Sequence, residues 1–162
     1  MVTDGEFRRD FWHLDFLRRL EGVGLAPIRG LKFDAEDVPP MPTVTGTVRC
    51  GGPIMTDHFD FVRSVATVTP KLTIPAPAML HVRGGRQAIS REGYPDLAEF
   101  WADAAAAYRV AIRHIPEAGC RYLQLDDSAT ASAPPATIRP PCRARTPTRS
   151  TRRWPDAPTA SR

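Results

Sequence analysis

Cys120-Arg121-Tyr122-Leu123-Gln124-Leu125-Asp126-Asp127 is a strand-like stretch that runs straight into two carboxylates. Residues 122–125 read as a buried β-strand, and Gly119 separates them from a long helical pattern upstream. A short strand, a long helix and a second short strand make the connection that a parallel sheet requires. In barrels and open α/β sheets alike, ligands meet the carboxyl ends of the strands. Asp126 and Asp127 are therefore expected at a ligand-facing edge. The same acids would also suit the cap of a following helix, and this stretch alone does not choose between the two.

Working outward, the helical pattern covers residues 95–115. Pro95 suits a first helical position, and Asp96 and Glu99 sit where the helix dipole favours acids. Leu97, Phe100, Trp101, Ala104, Tyr108, Ala111, Ile112 and Ile115 recur at three-and-four spacing and form one broad apolar stripe. Pro116 is expected to end or kink the helix. Residues 78–93 contain MLHVRGGRQAI, where Gly84 and Gly85 permit a sharp turn and His81, Arg83 and Arg86 offer polar contacts. This segment reads as a loop over a site. Strands are expected at 43–50 and 68–74, the second stopped by Pro75 and Pro77. Between them, Thr56 is the expected N-cap of a helix reaching about residue 66. A first helix is expected over 11–20, with Trp12, Phe16, Leu17 and Leu20 on one face and Gly22 and Gly24 ending it. Residues 25–42 read as a Pro-punctuated excursion with one short strand.

Composition changes abruptly after Asp127. Pro, Arg, Ala, Thr and Ser fill 31 of the 35 positions in 128–162, with no apolar period, so a disordered tail is expected there. The tail holds seven Arg and one Asp, so the net charge of +4 conceals a mildly acidic body, 1–127, at −2. Those arginines would give a salt-sensitive, sequence-blind attraction to phosphates. Only Trp154 is there to stack on a base, and no nucleic-acid fold motif accompanies it, so nucleic acid is not the expected partner. A Pro-Ala-Arg-Thr-Ser mixture starting at a strand end also fits a GC-rich region read in a shifted frame. Cys50, Cys120 and Cys142 form no CxxC pair and suit a reducing compartment. No apolar run nears the ~20 residues of a membrane helix, and the expected location is cytoplasmic.

TDGEFRRDFWHLDFL at the start, VTPKLTIPAPAMLHVRGG, YPDLAEFWADAAAAYR and AGCRYLQLDD together resemble the catalytic barrel of cobalamin-independent methionine synthase, in particular its shorter bacterial relatives. The resemblance covers residues 1–127. It implies an α/β fold, here an incomplete TIM (β/α)8 barrel of parallel strands and crossover helices, since 162 residues fall short of the roughly 250 of a complete one. It also implies S-methyl transfer from methyltetrahydrofolate to the thiol of homocysteine, activated by zinc, in methionine biosynthesis. Glu6, in TDGE, matches the carboxylate that holds the ammonium of homocysteine or methionine. Asp126 matches the second acid that grips it. Asp127 stands where the family usually has Glu, and His81 and Arg83 fall on the folate side, His81 replacing an aromatic.

The family's zinc ligands, a His-x-Cys pair, a Glu and a distant Cys, would follow the acid-ended strand. After Asp127 this chain has no His, no Glu and only Cys142. No metal ligand or catalytic residue is therefore expected in it. The resemblance further places Val2-Thr3-Asp4 at the end of an early barrel strand, which implies open sheet edges and self-association. The alternative is a non-catalytic truncated product whose binding rests on the basic tail. Plainer readings stand beside each site residue. Glu6 with Arg8 and Arg9 would make a surface ion pair of little worth. His13 would pack with Trp12 and Phe16, His58 and His114 would be solvated, and Cys50 and Cys120 would be small buried groups.

Overall fold

A computed structural model of the chain describes residues 1–27 and 40–127, all within one unit, Met1–Ser132. The expected tail, with Cys142 and Trp154, and most of the excursion after β1 lie outside the described residues. The described fold is mixed α/β with two small sheets. Its order is α1 (Leu14–Leu17), β1 (Glu21–Ala26), β2 (Met41–Arg49), α2 (Thr56–Val65), β3 (Leu72–Pro75), two 3-10 turns (Pro77–Leu80 and Gly85–Ala88), α3 (Leu97–Glu117) and β4 (Leu123–Asp126).

The parallel pair anticipated around the long helix is present. β3 and β4 run parallel in the register Leu72↔Leu123 to Pro75↔Asp126, with α3 as the crossover. Pro95, expected at the first helical position, lies outside α3: Asp96 is its N-cap and accepts a hydrogen bond from the Ala98 N–H at 2.9 Å. Phe100, Ala104, Ala107, Tyr108, Ala111 and Ile115 are its buried stripe. Pro116 does not stop the helix but sits in its last turn. The stop comes from Gly119, at φ +90°: its N–H donates to Pro116 O (2.8 Å) and the Cys120 N–H to Ile115 O (3.2 Å). This Schellman arrangement satisfies two terminal carbonyls and turns the chain into β4. Arg63 of α2 takes a third, the Ala118 carbonyl, at 2.7 Å.

β3 is buried at all four positions, and its two flanks are satisfied differently. Toward β4, Leu72 and Ala76 donate to Tyr122 O and Asp126 O at 3.0 and 2.8 Å. On the other flank, Val2 forms a parallel bridge, donating to Thr69 O and accepting from the Lys71 N–H. Beyond that bridge Arg9 donates to Thr73 O (2.8 Å) and the Tyr108 hydroxyl to Pro75 O (3.0 Å). Pro75 was expected to lie past the strand. It belongs to it, because a proline is tolerated where no ladder donor is required. The strand also begins later than expected, at Leu72 rather than Val68.

Several other expectations are corrected. The second sheet is antiparallel: β1 pairs β2, with an irregularity between Glu21 and Val23. Gly22 and Gly24 therefore lie in a strand rather than ending a helix. Gly22, at φ +75°, faces the backbone so closely that a Cβ would clash with Thr47 O. The 11–20 helix contracts to Leu14–Leu17, where the Arg9 guanidinium takes the Trp12 carbonyl (2.9 Å) and the Asp15 carboxylate takes the Asp10 N–H (2.8 Å). Such side-chain bonds compete with the helical ladder. Thr56 is the first residue of α2, preceded by Met55 in left-handed conformation, and its hydroxyl caps nothing. The 78–93 loop contains the two 3-10 turns and a parallel bridge from Ile89 to Val44. β4 is not buried: Tyr122 is 45 % and Leu125 48 % exposed, so the strand is an edge among the described residues.

The core lies between α3, β2 and β3, where Phe16, Val44, Phe59, Ile74, Leu80, Phe100 and Ile115 pack together. Tyr94 pins this layer with its hydroxyl, which accepts from the Val48 N–H (2.7 Å) and donates to Asp103 (2.9 Å).

Candidate functional site

Three backbone segments end on the same side: the bridge at Val2, β3 and β4. Parallel strands must all present their carboxyl ends together, so the turns after them converge. After Val2 comes an unusual turn. Gly5 and Glu6 are both left-handed, at φ 63° and 64°. Their N–H groups are taken by Thr3 Oγ1 (3.1 Å) and Asp4 Oδ1 (3.0 Å), a local exchange that Asp and Thr side chains favour. A non-glycine residue held at positive φ is a sign of local constraint.

Glu6 is half-buried. One of its oxygens, Oε1, accepts from Arg9 Nη1 at 3.2 Å. The expected surface ion pair is corrected here, because the Arg9 side chain is 1 % exposed and reaches past Glu6 to the Trp12 and Thr73 carbonyls. Arg8 instead stacks over Phe61, 3.9 Å from the ring centroid. Burial raises the Glu6 pKa above its ordinary 4.5; Arg9 opposes the rise, and the negative charges of Asp126 and Asp4 add to it. The structure thus brings Glu6 and Asp126 within electrostatic reach of one another.

Asp126 occupies the last position of β4. Its Oδ1 accepts from Gln124 Nε2 at 2.6 Å, and Gln124 Oε1 accepts from Lys71 Nζ at 2.5 Å. Asp127, one residue on, is exposed. Glu6 and Asp126 therefore each have one oxygen engaged by a protein donor.

His81 and Arg83 follow β3 through the first 3-10 turn. The His81 ring stands 5.7 Å from that of Trp101, and its Nε2 is buried without a hydrogen-bond partner. Burial, then the Arg86 charge, lower its pKa. Neither residue makes a direct bond to Glu6 or Asp126 among the described residues. The Arg83 charge acts on His13, whose ring is 2 % exposed with both nitrogens unpartnered. Burial first, then Arg83, pull His13 down to about 4, so it is neutral near pH 7. His58, expected in solvent, is buried, with Nδ1 3.9 Å from Asp4 Oδ2. Burial lowers its pKa, with Asp57 and Asp4 opposing. His114 is partly exposed and paired with Glu117, as expected of a surface helix residue.

Asp4, Lys71 and Gln124 were missed by sequence reasoning, and Arg9 was read only as a surface partner of Glu6. Gln124 had a legible signal, since residues two apart on a strand share a face. The buried role of Arg9 had none: its carbonyl partners, Trp12 and Thr73, are defined only by the folded chain.

The described residues do not fit zinc. They contain no group of three or more His, Cys, Asp or Glu able to hold a metal ion. The Cys120 thiol is pushed up by burial and donates to Tyr122 O, and Cys50 donates to Gly52 O. Among them no helix is long and apolar enough to cross a membrane.

Comparison with known proteins follows the same outline. Protein YxjG of Bacillus subtilis is 42 % identical over 135 residues, which are 81 % of this chain and 35 % of YxjG. A methionine synthase of Saccharolobus solfataricus is 29 % identical over 131 residues, 78 % of this chain and 36 % of that enzyme. Among solved structures, a vitamin-B12 independent methionine synthase of Listeria monocytogenes superposes with a TM-score of 0.61 at 38 % identity, covering 80 % of this chain and 36 % of that one. The resemblance is to the B12-independent methionine synthases. The methionine-synthase-like chain spans about a third of the length of the curated relatives it matches. A B12-independent methionine synthase of Shewanella sp. W3-18-1, solved with selenomethionine, shares the fold at 23 % identity, with a TM-score of 0.59 and 80 % and 36 % of the two chains covered. No family model matches the sequence.

Proposed function

We propose that residues 1–127 are part of a methionine-synthase-like (β/α)8 barrel, and that Glu6 and Asp126 hold the amino group of a sulfur amino acid, homocysteine or its methylated product. The observation that carries this reading is the pair of acids that follow the two parallel segments on either side of β3, Glu6 after the Val2 bridge and Asp126 at the end of β4. Each is tied through one oxygen, and Glu6 carries a raised pKa to which Asp126 contributes. Two carboxylates around one ammonium give charge-assisted hydrogen bonds and discriminate against ligands without the amine. An ammonium between them also relieves their mutual repulsion. The selenomethionine bound by the Shewanella relative is a ligand of the same class. The Val2 bridge parallel to β3, and β3 and β4 parallel and joined by α3, support the barrel reading. Residues 128–162 form a separate segment in this proposal.

In the full reaction methyltetrahydrofolate would donate the methyl group and zinc would activate the thiol. The described residues offer that metal no site, so this part of the chain binds and orients the amino acid. His81 and Arg83, in the loop after β3, stand on the proposed donor side, and Asp127 flanks the amino-acid side. Calorimetric titration with L-methionine tests the reading. Binding is expected for the wild type and is lost by at least about tenfold in Glu6→Gln and in Asp126→Asn. Equal affinity for methionine and its deaminated analogue would overturn it.

A second reading, self-association, is favoured by the exposed edge of β4, where Tyr122 and Leu125 are about half in solvent. An open strand edge invites pairing with another chain.

A further inference from the structure

We propose that Lys71 is a positioning residue for the two acids, acting on Asp126 through Gln124 and on the Glu6 turn through its own backbone. This rests on the amino-group reading of the site. The side-chain half of the device follows from donor chemistry. A lysine ammonium can only donate, and an ionised carboxylate can only accept. A glutamine bridging the two must turn its oxygen to the lysine and its NH2 to the acid. That is the observed arrangement, Lys71 Nζ to Gln124 Oε1 and Gln124 Nε2 to Asp126 Oδ1. Lys71 thereby fixes the amide orientation. Without the ammonium, the amide oxygen loses its anchor and the Gln124 side chain is free to swing away from the carboxylate, so Asp126 loses its tether.

The backbone half concerns the other acid. The Lys71 N–H donates to Val2 O at 2.9 Å, the bond that seats Val2 beside β3. Four residues on, the turn through Asp4 delivers Glu6. One residue is therefore bonded to both arms of the site. Its side chain holds the β4 arm and its main chain holds the arm that starts at Val2. Gln124 and Asp126 share one face of β4, so the tether acts along the strand without crossing it. Asp126 Oδ1 is consumed by Gln124 and Glu6 Oε1 by Arg9, and no other bond to either carboxylate is seen among the described residues. The second oxygen of each is left for an ammonium.

The full chain tests this with three variants, Lys71→Met, Lys71→Arg and Glu6→Gln. Each is titrated with L-methionine and with 4-(methylthio)butanoate, which keeps the thioether and lacks the amine. In Lys71→Met the preference for methionine should fall about tenfold, with affinity for the amine-free analogue and the melting temperature little changed. Lys71→Arg, which keeps a donor, should restore most of that preference. The side-chain amide signals of Gln124 in a nitrogen–proton NMR spectrum should shift in Lys71→Met with or without ligand. Unmoved signals would overturn the proposal whatever the ligand does. A wild type and Lys71→Met with the same preference for methionine, while Glu6→Gln loses it, would overturn the positioning role and leave the amino-group site standing. A wild type with no preference for the amine would overturn both.

Discussion

At the scale of single residues, two buried histidines and a half-buried one set how the protein responds to acid. Burial lowers the pKa of His13, His58 and His81, His13 to about 4. The sign follows from linkage. Below about pH 6.5 the unfolded chain takes up protons that these folded imidazoles refuse, so stability falls as pH falls. For His13 the loss runs from about pH 6.5 down to about 4, at no more than about 1.4 kcal/mol per pH unit, and then levels off. Thermal melts between pH 7 and 4 should show this decline, and His13→Phe should flatten part of it. A flat melting curve in the wild type would contradict the burial of neutral imidazoles.

Glu6 behaves in the opposite sense. Its raised pKa means that acid neutralises it earlier than an ordinary carboxylate. A protonated Glu6 grips an ammonium poorly, so methionine affinity should fall as pH drops through the raised value, and binding should release a proton in that range. Calorimetry in buffers of different ionisation enthalpy measures that proton. Asp4→Ala, which removes the acceptor that holds the Glu6 N–H, should weaken binding, whereas Asp4→Asn keeps an oxygen there and should spare it.

At the scale of elements, α3 was legible because its signals agree: acids near its start, a three-and-four apolar stripe and a glycine beyond its end. Each is local, so the sequence states it directly. Gly119→Ala tests the last of them. A side chain at φ +90° is strained, and an added Cβ would stand 2.7 Å from Arg63 Nη1, so a loss of roughly 1 kcal/mol or more is expected in denaturant unfolding. Asp96→Ala should cost about 1 kcal/mol through the missing cap. The β1–β2 ribbon was not legible. Gly22 and Gly24 carry the ordinary signal of a helix end, and only the approach of the Thr47 carbonyl gives Gly22 its strand role. The first helix failed for a related reason, since Arg9 and Asp15 take backbone groups that local pattern assigns to a helical ladder.

At the scale of the whole molecule, the resemblance singles out Glu6 and Asp126 but says nothing of the residues that support them. Arg9 and Thr73 are 64 residues apart in sequence, and Lys71 and Gln124 are 53 apart. Such pairings exist only after β3 is enclosed. Among the described residues the strand read as buried is instead an exposed edge, because apolar residues report what a strand is suited to cover and not what covers it. If β4 is a pairing edge, Leu125→Lys should reduce self-association in sedimentation velocity without lowering the melting temperature, since the side chain is already about half in solvent. An unchanged sedimentation profile, with wild type associating, would place the contact elsewhere.

Pro75 bears on how the turn carrying Glu6 stays open. Zippering of Val2 along β3 would need a run of amide protons on that flank, and at Pro75 there is none to offer. The carbonyls that would have continued the ladder are already claimed by Arg9 and Tyr108. The leading segment is thus obliged to peel away from the sheet, and a missing proton at one imino acid keeps a mouth from sewing itself shut.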